Sequence, residues 1–267
     1  MVMTKTAGLF LTALSAGLVA CGGGSDSGGD SAGAETTPAA QPAVAASGSG
    51  YTVVAVSDAG SIRGTIRLAG AAPASRTVTV AEDVETCGAS KVVQTVQTGA
   101  GNGLANAVVS ITNISQGAAL ETSPAAASLD QDGCQFAPHV LLAPVGAAVK
   151  ILNSDPITHN VHTVTFENRP LNRAQPAAMR EIETTFAYAD KVKVKCDIHE
   201  WMSAWVIVID HPYHAITGAD GDFVIENVPP GTYTVEIWHE TLGTTTQDVT
   251  VGANQSAVVE AELSPQT

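Results

Sequence analysis

The chain has 267 residues, 45% of them hydrophobic and only 14% charged, which is enough apolar material for one large or two small cores. Twelve Lys and Arg stand against 26 Asp and Glu, a formal net charge of −14. That balance excludes a basic nucleic-acid-binding surface and favours basic proteins as partners, beside the plain reading of a solvated acidic exterior.

At the N-terminus, Lys5 precedes an apolar run from Ala7 to Ala20 that has the length of a secretory hydrophobic region and is too short to span a bilayer. The run closes on Leu18-Val19-Ala20-Cys21. This tetrapeptide resembles the lipobox of bacterial lipoproteins, which implies that residues 1–20 are a signal peptide and that Cys21 carries the lipid. An ordinary signal peptide followed by a chance cysteine is the alternative. Gly22 rather than Asp comes next, which in lipoproteins implies the outer membrane, here facing the periplasm. From Cys21 to Gly50 the sequence is rich in Gly, Ser and Ala and lacks the large apolar residues that offset ordering entropy, so a tether is expected over 21–55. Some thirty flexible residues give a root-mean-square reach of about 30 Å. Loss of residues 1–20, which hold one Lys and no acid, takes the net charge from −14 to −15.

Beyond the tether, short runs rich in Val, Ile and Thr recur between Gly, Pro, Asn and Asp clusters: SIRGTIRL, NAVVSIT, HVLLAPV, AAVKILN, KVKVKC, WVIVI, DFVIENV, TYTVEIW, QDVTVG and AVVEAEL. The spacing predicts an all-β protein. Residues 118–133 read as a loop, and residues 210–222 carry a Pro and an Asp-Gly turn signal. The segment from Thr217 to Trp238, with its Pro229-Pro230-Gly231 turn and following Tyr233, resembles carboxypeptidase regulatory-like domains, which are small transthyretin-like sandwiches. The opening strands of such domains are matched by Gly60-Ser-Ile-Arg-Gly-Thr-Ile66 and Ala107-Val-Val-Ser-Ile111. The resemblance implies one sandwich split between residues 56–125 and 211–267, with a second domain over 126–210 inserted in it. Two small sandwiches in tandem are the alternative.

The chemistry concentrates in residues 191–202, KVKVKCDIHEWM. Strand alternation aims Val192, Val194 and Cys196 inward and Lys191, Lys193 and Lys195 to water. His199 and Met202 follow on a tight loop, and the segment from Val149 to His162 ends in His159-Asn160-Val161-His162. A strand ending in Asn, an H-N-V-H stretch and a C-x2-H-x2-M loop about 37 residues later resemble the cupredoxins, amicyanins most closely, over residues 126–210. The resemblance implies a Greek-key sandwich in which His159, Cys196 and His199 are the trigonal ligands of one type 1 copper and Met202 is the weak axial one. A thiolate, two imidazoles and a thioether form a soft set that suits blue copper, whereas structural zinc more often takes further Cys or His in place of Met. Asn160 matches the position whose amide ties the two ligand loops together. Ile198 and Glu200 stand where amicyanins carry proline, so the outer face of the site differs from theirs.

With Cys21 assigned to lipid and Cys196 to copper, Cys87 and Cys134 are left over; in an oxidising compartment they are expected to form a disulfide linking the N-terminal sandwich segment to the inserted domain, with two buried free thiols as the alternative. His211 and His214 suggest a second metal but have no evident third ligand, and His162 has no assigned role. Trp201 and Trp205 are expected to flank the site and shield it. The functional expectation is a lipid-anchored one-electron carrier, not an enzyme. Its exit edge would be an exposed His199, and its partner a c-type cytochrome or membrane oxidoreductase. A copper carrier or buffer, and a cell-surface binding module with a structural metal, are the alternatives.

Overall fold

A computed structural model describes residues 50–121 and 127–265. The expected signal peptide, Cys21 and the tether up to residue 49 lie outside the described residues.

The described chain is all-β, with one four-residue helix, Val84–Cys87, and one short 3-10 turn. Its strands form two sandwiches. In the first, the order His214–Ile216, Val108–Ile111, Gly231–His239, Gly243–Val251 makes a four-stranded sheet. It faces a three-stranded sheet of Asp222–Val228, Gly60–Leu68 and Ser256–Leu263. Ile62, Ile66, Val109, Ile111, Ile225 and Ile237 fill the space between them. Strands from before residue 112 and after residue 213 thus share one core.

Local sequence explains the closeness of these strands. A Cβ on Gly64 would lie 1.7 Å from the Val259 carbonyl oxygen, so only glycine lets Gly60–Leu68 run beside Ser256–Leu263 in parallel register. After the Pro-Pro-Gly turn, the Tyr233 hydroxyl donates to the Pro229 carbonyl at 2.8 Å and fixes the entry to its strand.

The second sandwich packs the sheet Glu181–Thr185, Ala148–Asn153, Ala127–Gln131, Phe136–Ala137 on a five-stranded sheet. The latter runs Asn172–Gln175, His159–Val164, Asp190–Lys195, Ser203–Ile209, Val140–Pro144. Val192 and Val194 are fully buried in its core, as the alternation requires. Each such valine contributes about 1.5–3 kcal/mol of hydrophobic stabilisation.

On the other face Lys195 is half-exposed beside Asp197, as expected, but Lys191 does not simply enter water. Lys191 Nζ sits 2.7 Å from Glu236 and 5.5 Å from the Trp238 ring centroid, both in the first sandwich. The sheet's back is therefore an interface: Val108, Val140, Ile207 and Ile209 form a small apolar cluster there. Trp205 packs edge-on to Trp238 with ring centroids 4.9 Å apart and donates its indole N–H to Glu240 at 2.7 Å. Trp205 thus joins the two sandwiches, where the sequence reading expected it beside the metal.

One hairpin stands apart. Arg76–Thr79 and Ser90–Val93 pair only with each other, and the helix Val84–Cys87 lies between them.

Candidate metal centre

His159 opens the strand His159–Val164, which pairs on one side with Asn172–Gln175 and on the other with Asp190–Lys195. His159, Val161 and Thr163 are buried on one face, while His162 on the other remains partly exposed. Cys196 follows the neighbouring strand directly, and its register sets the thiol under the start of His159–Val164. The loop after it is tight because its backbone closes on itself: Cys196 N–H donates to the Met202 carbonyl at 3.3 Å, and Met202 N–H to the His199 carbonyl at 2.8 Å. Asn160 N–H and His199 N–H both point at Cys196 Sγ, at 3.3 and 3.4 Å.

The donor atoms face one another. His159 Nδ1 and His199 Nδ1 are 3.0 Å apart, and Cys196 Sγ is 3.7 Å from His199 Nδ1. Behind each ring stands a carboxylate: His159 Nε2–H donates to Asp155 Oδ2 at 2.8 Å, and His199 Nε2–H to Asp83 Oδ2 at 3.1 Å. A carboxylate on Nε2 fixes the proton there and leaves Nδ1 as a bare lone pair. Burial pushes the His159 imidazole below its ordinary value; the Asp155 hydrogen bond opposes this and His199 adds to it. Two imidazole nitrogens and a sulfur thus converge on one buried point, a donor set that a cation between them would satisfy. These residues therefore fit a soft metal ion. Met202 is buried in the same cluster as Cys196 and offers the thioether.

The carboxylates are themselves held. Asp155 accepts the Gly133 and Cys134 amides, both at 2.8 Å, and Cys134 is joined to Cys87 by a disulfide. The Trp201 indole donates to the Cys134 carbonyl at 2.9 Å, and its ring lies 5.1 Å from that of His199. Cys134, Asp155 and His159 also lie close enough to hold a cation, but the disulfide removes Cys134 from that set.

Asn160 does bridge the ligand loops: its Oδ1 accepts the Asp197 amide at 3.2 Å, and its Nδ2 donates to Asn172 at 2.8 Å. His199 does not form an exposed edge. Its ring is fully buried, because Asp83, the Cys87 sulfur at 3.9 Å and Trp201 cover it. His211 and His214 stack with centroids 4.3 Å apart, but among the described residues no third ligand closes on them. His162 instead pairs with the exposed Asp197 at 2.8 Å.

Sequence reasoning missed Asp83 and Asp155. Asp155 lies four residues before His159 and was open to notice; Asp83 is 116 residues from His199, and nothing local marks it.

Comparison with known proteins bears on the two halves differently. Residues 202–264 match the carboxypeptidase regulatory-like domain family. The match begins at Met202, although Ser203–Ile209 pairs within the five-stranded sheet of the other sandwich. No curated protein matches the chain. Similar solved structures are cupredoxins. They include a Cu-containing nitrite reductase from Thermus scotoductus SA-01, at 23% identity and TM-score 0.30, covering 35% of this chain and 24% of that one. The chain thus spans about a quarter of the reductase. A methionine variant of amicyanin in its Cu(I) form is 22% identical with TM-score 0.30, covering 33% of this chain and 85% of that one. A proline variant of oxidized amicyanin gives 23% and 0.30 with the same coverage.

Proposed function

We propose that the protein is a type 1 copper protein that carries single electrons in the cell envelope. The observation that carries this reading is the opposition of His159 Nδ1, His199 Nδ1 and Cys196 Sγ at one buried point, with both rings' outer nitrogens tied to carboxylates. Copper held there supplies a one-electron couple. The protein's own part is to present a thiolate from Cys196, neutral imidazoles from His159 and His199, and the Met202 thioether as a softer, weaker donor. Packing and paired hydrogen bonds hold these groups still, which keeps the cost of rearrangement between oxidation states low. Water is excluded by the burial of all four side chains.

A copper carrier or buffer would use the same ligands, but it needs an open mouth for metal exchange. The burial of His199 favours the electron carrier. No turnover of a substrate is proposed. Residues 126–210 would form the metal domain, with 56–125 and 211–267 as its regulatory-like companion. Lipidation at Cys21 would hold both at the outer membrane, facing the periplasm.

The redox partner is proposed to be a basic protein, such as a c-type cytochrome or the cationic rim of a membrane oxidoreductase. Glu82, Asp197 and Glu200 rim a shallow groove over the covered His199, and Ile198 at 38% exposure gives it an apolar floor. A partner would meet this groove rather than the imidazole itself. Visible and EPR spectra of the copper-loaded protein test the central assignment. An intense thiolate-to-Cu(II) band, abolished in Cys196→Ser, is expected; a colourless complex, or colour that survives the substitution, refutes it.

A further inference from the structure

We propose that Asp83 is a positioning residue of the metal centre, delivered from the hairpin of residues 76–93 and pinned over His199 by the Cys87–Cys134 disulfide. The proposal rests on the copper reading above and deepens it, because it concerns what holds the outermost ligand.

The backbone around Asp83 singles it out. Asp83 precedes the helix Val84–Cys87 with φ 55° and ψ 31°, a left-handed conformation that an L-residue adopts at some cost. An aspartate in that place ordinarily caps its own helix by accepting an N–H from the first turn. Asp83 makes no such side-chain bond; its main-chain carbonyl alone takes the Thr86 and Cys87 amides, and the carboxylate reaches out to His199 Nε2 at 3.1 Å. The side chain has given up a local partner for one 116 residues away.

Tertiary structure explains how it stays there. The hairpin pairs with neither sandwich through strand hydrogen bonds. Its attachments include the buried Val80 and Cys87, both part of the metal-site core, the disulfide to Cys134, and Lys91 Nζ, which donates to the Gly133 carbonyl at 2.6 Å. Cys134 in turn supplies the amide that holds Asp155 on His159 and the carbonyl that holds Trp201 beside His199. One cystine therefore organises the supports of both imidazoles. The Asp155 side belongs to the same sandwich as its histidine. The Asp83 side is brought from outside it.

The consequences follow from ordinary electrostatics. An imidazole on a loop can rotate about its ring bond and present either nitrogen inward; a carboxylate on Nε2–H removes that freedom and makes the ring a stronger donor through Nδ1. A fixed negative charge one ring away also stabilises the more positive oxidation state of the bound metal. Loss of such a partner costs about 10–100-fold in metal affinity.

The test compares Asp83→Asn, Asp83→Glu and Glu85→Gln in the full chain. Glu85→Gln removes the same unit of charge two residues away, in the first turn of the helix that Asp83 precedes, and serves as the control for long-range effects. Copper affinity is read by competition with a Cu(I) chelator, the reduction potential by voltammetry, and the melting temperature of the metal-free protein reports on folding. In Asp83→Asn we expect copper binding weaker by about 10–100-fold, a higher reduction potential, and a retained visible band. Asp83→Glu should restore part of both losses, and Glu85→Gln should match wild type. Equal affinity and potential in wild type and Asp83→Asn overturn the proposal while the copper assignment stands. So does an equal shift in Glu85→Gln. A wild-type copper complex without the visible band overturns the copper assignment, and this proposal with it.

Discussion

Replacing Cys87 and Cys134 together by alanine removes the disulfide that ties the hairpin to the sandwich of the candidate metal centre. The two residues are 47 positions apart, and closing a loop of that length removes about 14 cal/mol/K of chain entropy from the unfolded state, or about 4 kcal/mol at 25 °C. Part of this is returned in the variant, because an isolated two-stranded hairpin is marginal in water and loosens once unpinned. A net loss of about 2–4 kcal/mol is therefore expected. Equilibrium urea unfolding of the metal-free protein measures it. With a slope of about 2 kcal/mol/M, the midpoint should fall by about 1–2 M. Metal-free protein is essential here, since bound copper would add its own stabilisation and mask the difference. A midpoint within about 0.3 M of wild type would refute the loop-entropy argument. In the same variant, amides of residues 76–93 should exchange faster than those of Asp190–Lys195, since the hairpin has no sheet partner beyond itself.

Three further outcomes are expected. Met202→Leu should keep the colour and raise the reduction potential, because losing the thioether disfavours Cu(II), and Met202→Gln should lower it; unchanged voltammetry in both places Met202 outside the coordination sphere. His214 is driven down to about 3, chiefly by burial and then by the stacked His211, so between pH 6.5 and about 3 only the unfolded chain takes up its proton. Stability from this residue is complete above pH 6.5 and falls by up to ~1.4 kcal/mol per pH unit as the pH drops through that window. His214→Gln should flatten the acid limb of a urea-midpoint-versus-pH curve, and an unaltered slope contradicts the argument. Electron transfer with a basic cytochrome should slow as salt rises, since the Debye length shrinks from ~30 Å at 0.01 M to ~10 Å at 0.1 M, and Glu200→Lys should slow it further without changing the copper spectrum. A rate that is flat or rising across a stopped-flow salt series rules out acidic docking and leaves contact through the apolar Ile198.

Features that depend on neighbours along the chain were legible in the residue order. Period-two alternation placed the strand Asp190–Lys195 and its buried valines, and the Val/Ile runs between turn residues marked most of both sandwiches. His159, Cys196, His199 and Met202 were legible because two short motifs carry them, and a strand delivers its end residues to a predictable place. Weaker strands such as Asn172–Gln175 and Glu181–Thr185 were not, since their polar residues show no apolar period and their pairing comes from the sheet around them. The surroundings of the site came from packing between distant segments. Trp205 and Lys191 turned toward a second sandwich, because that sandwich buries this part of the back of their sheet, while Lys195 stays half-exposed beside Asp197. His199, expected at the surface, lies under Asp83. A contact between residues 116 apart leaves no local pattern, for neither periodicity nor spacing encodes which loop of one sheet packs on the end of another.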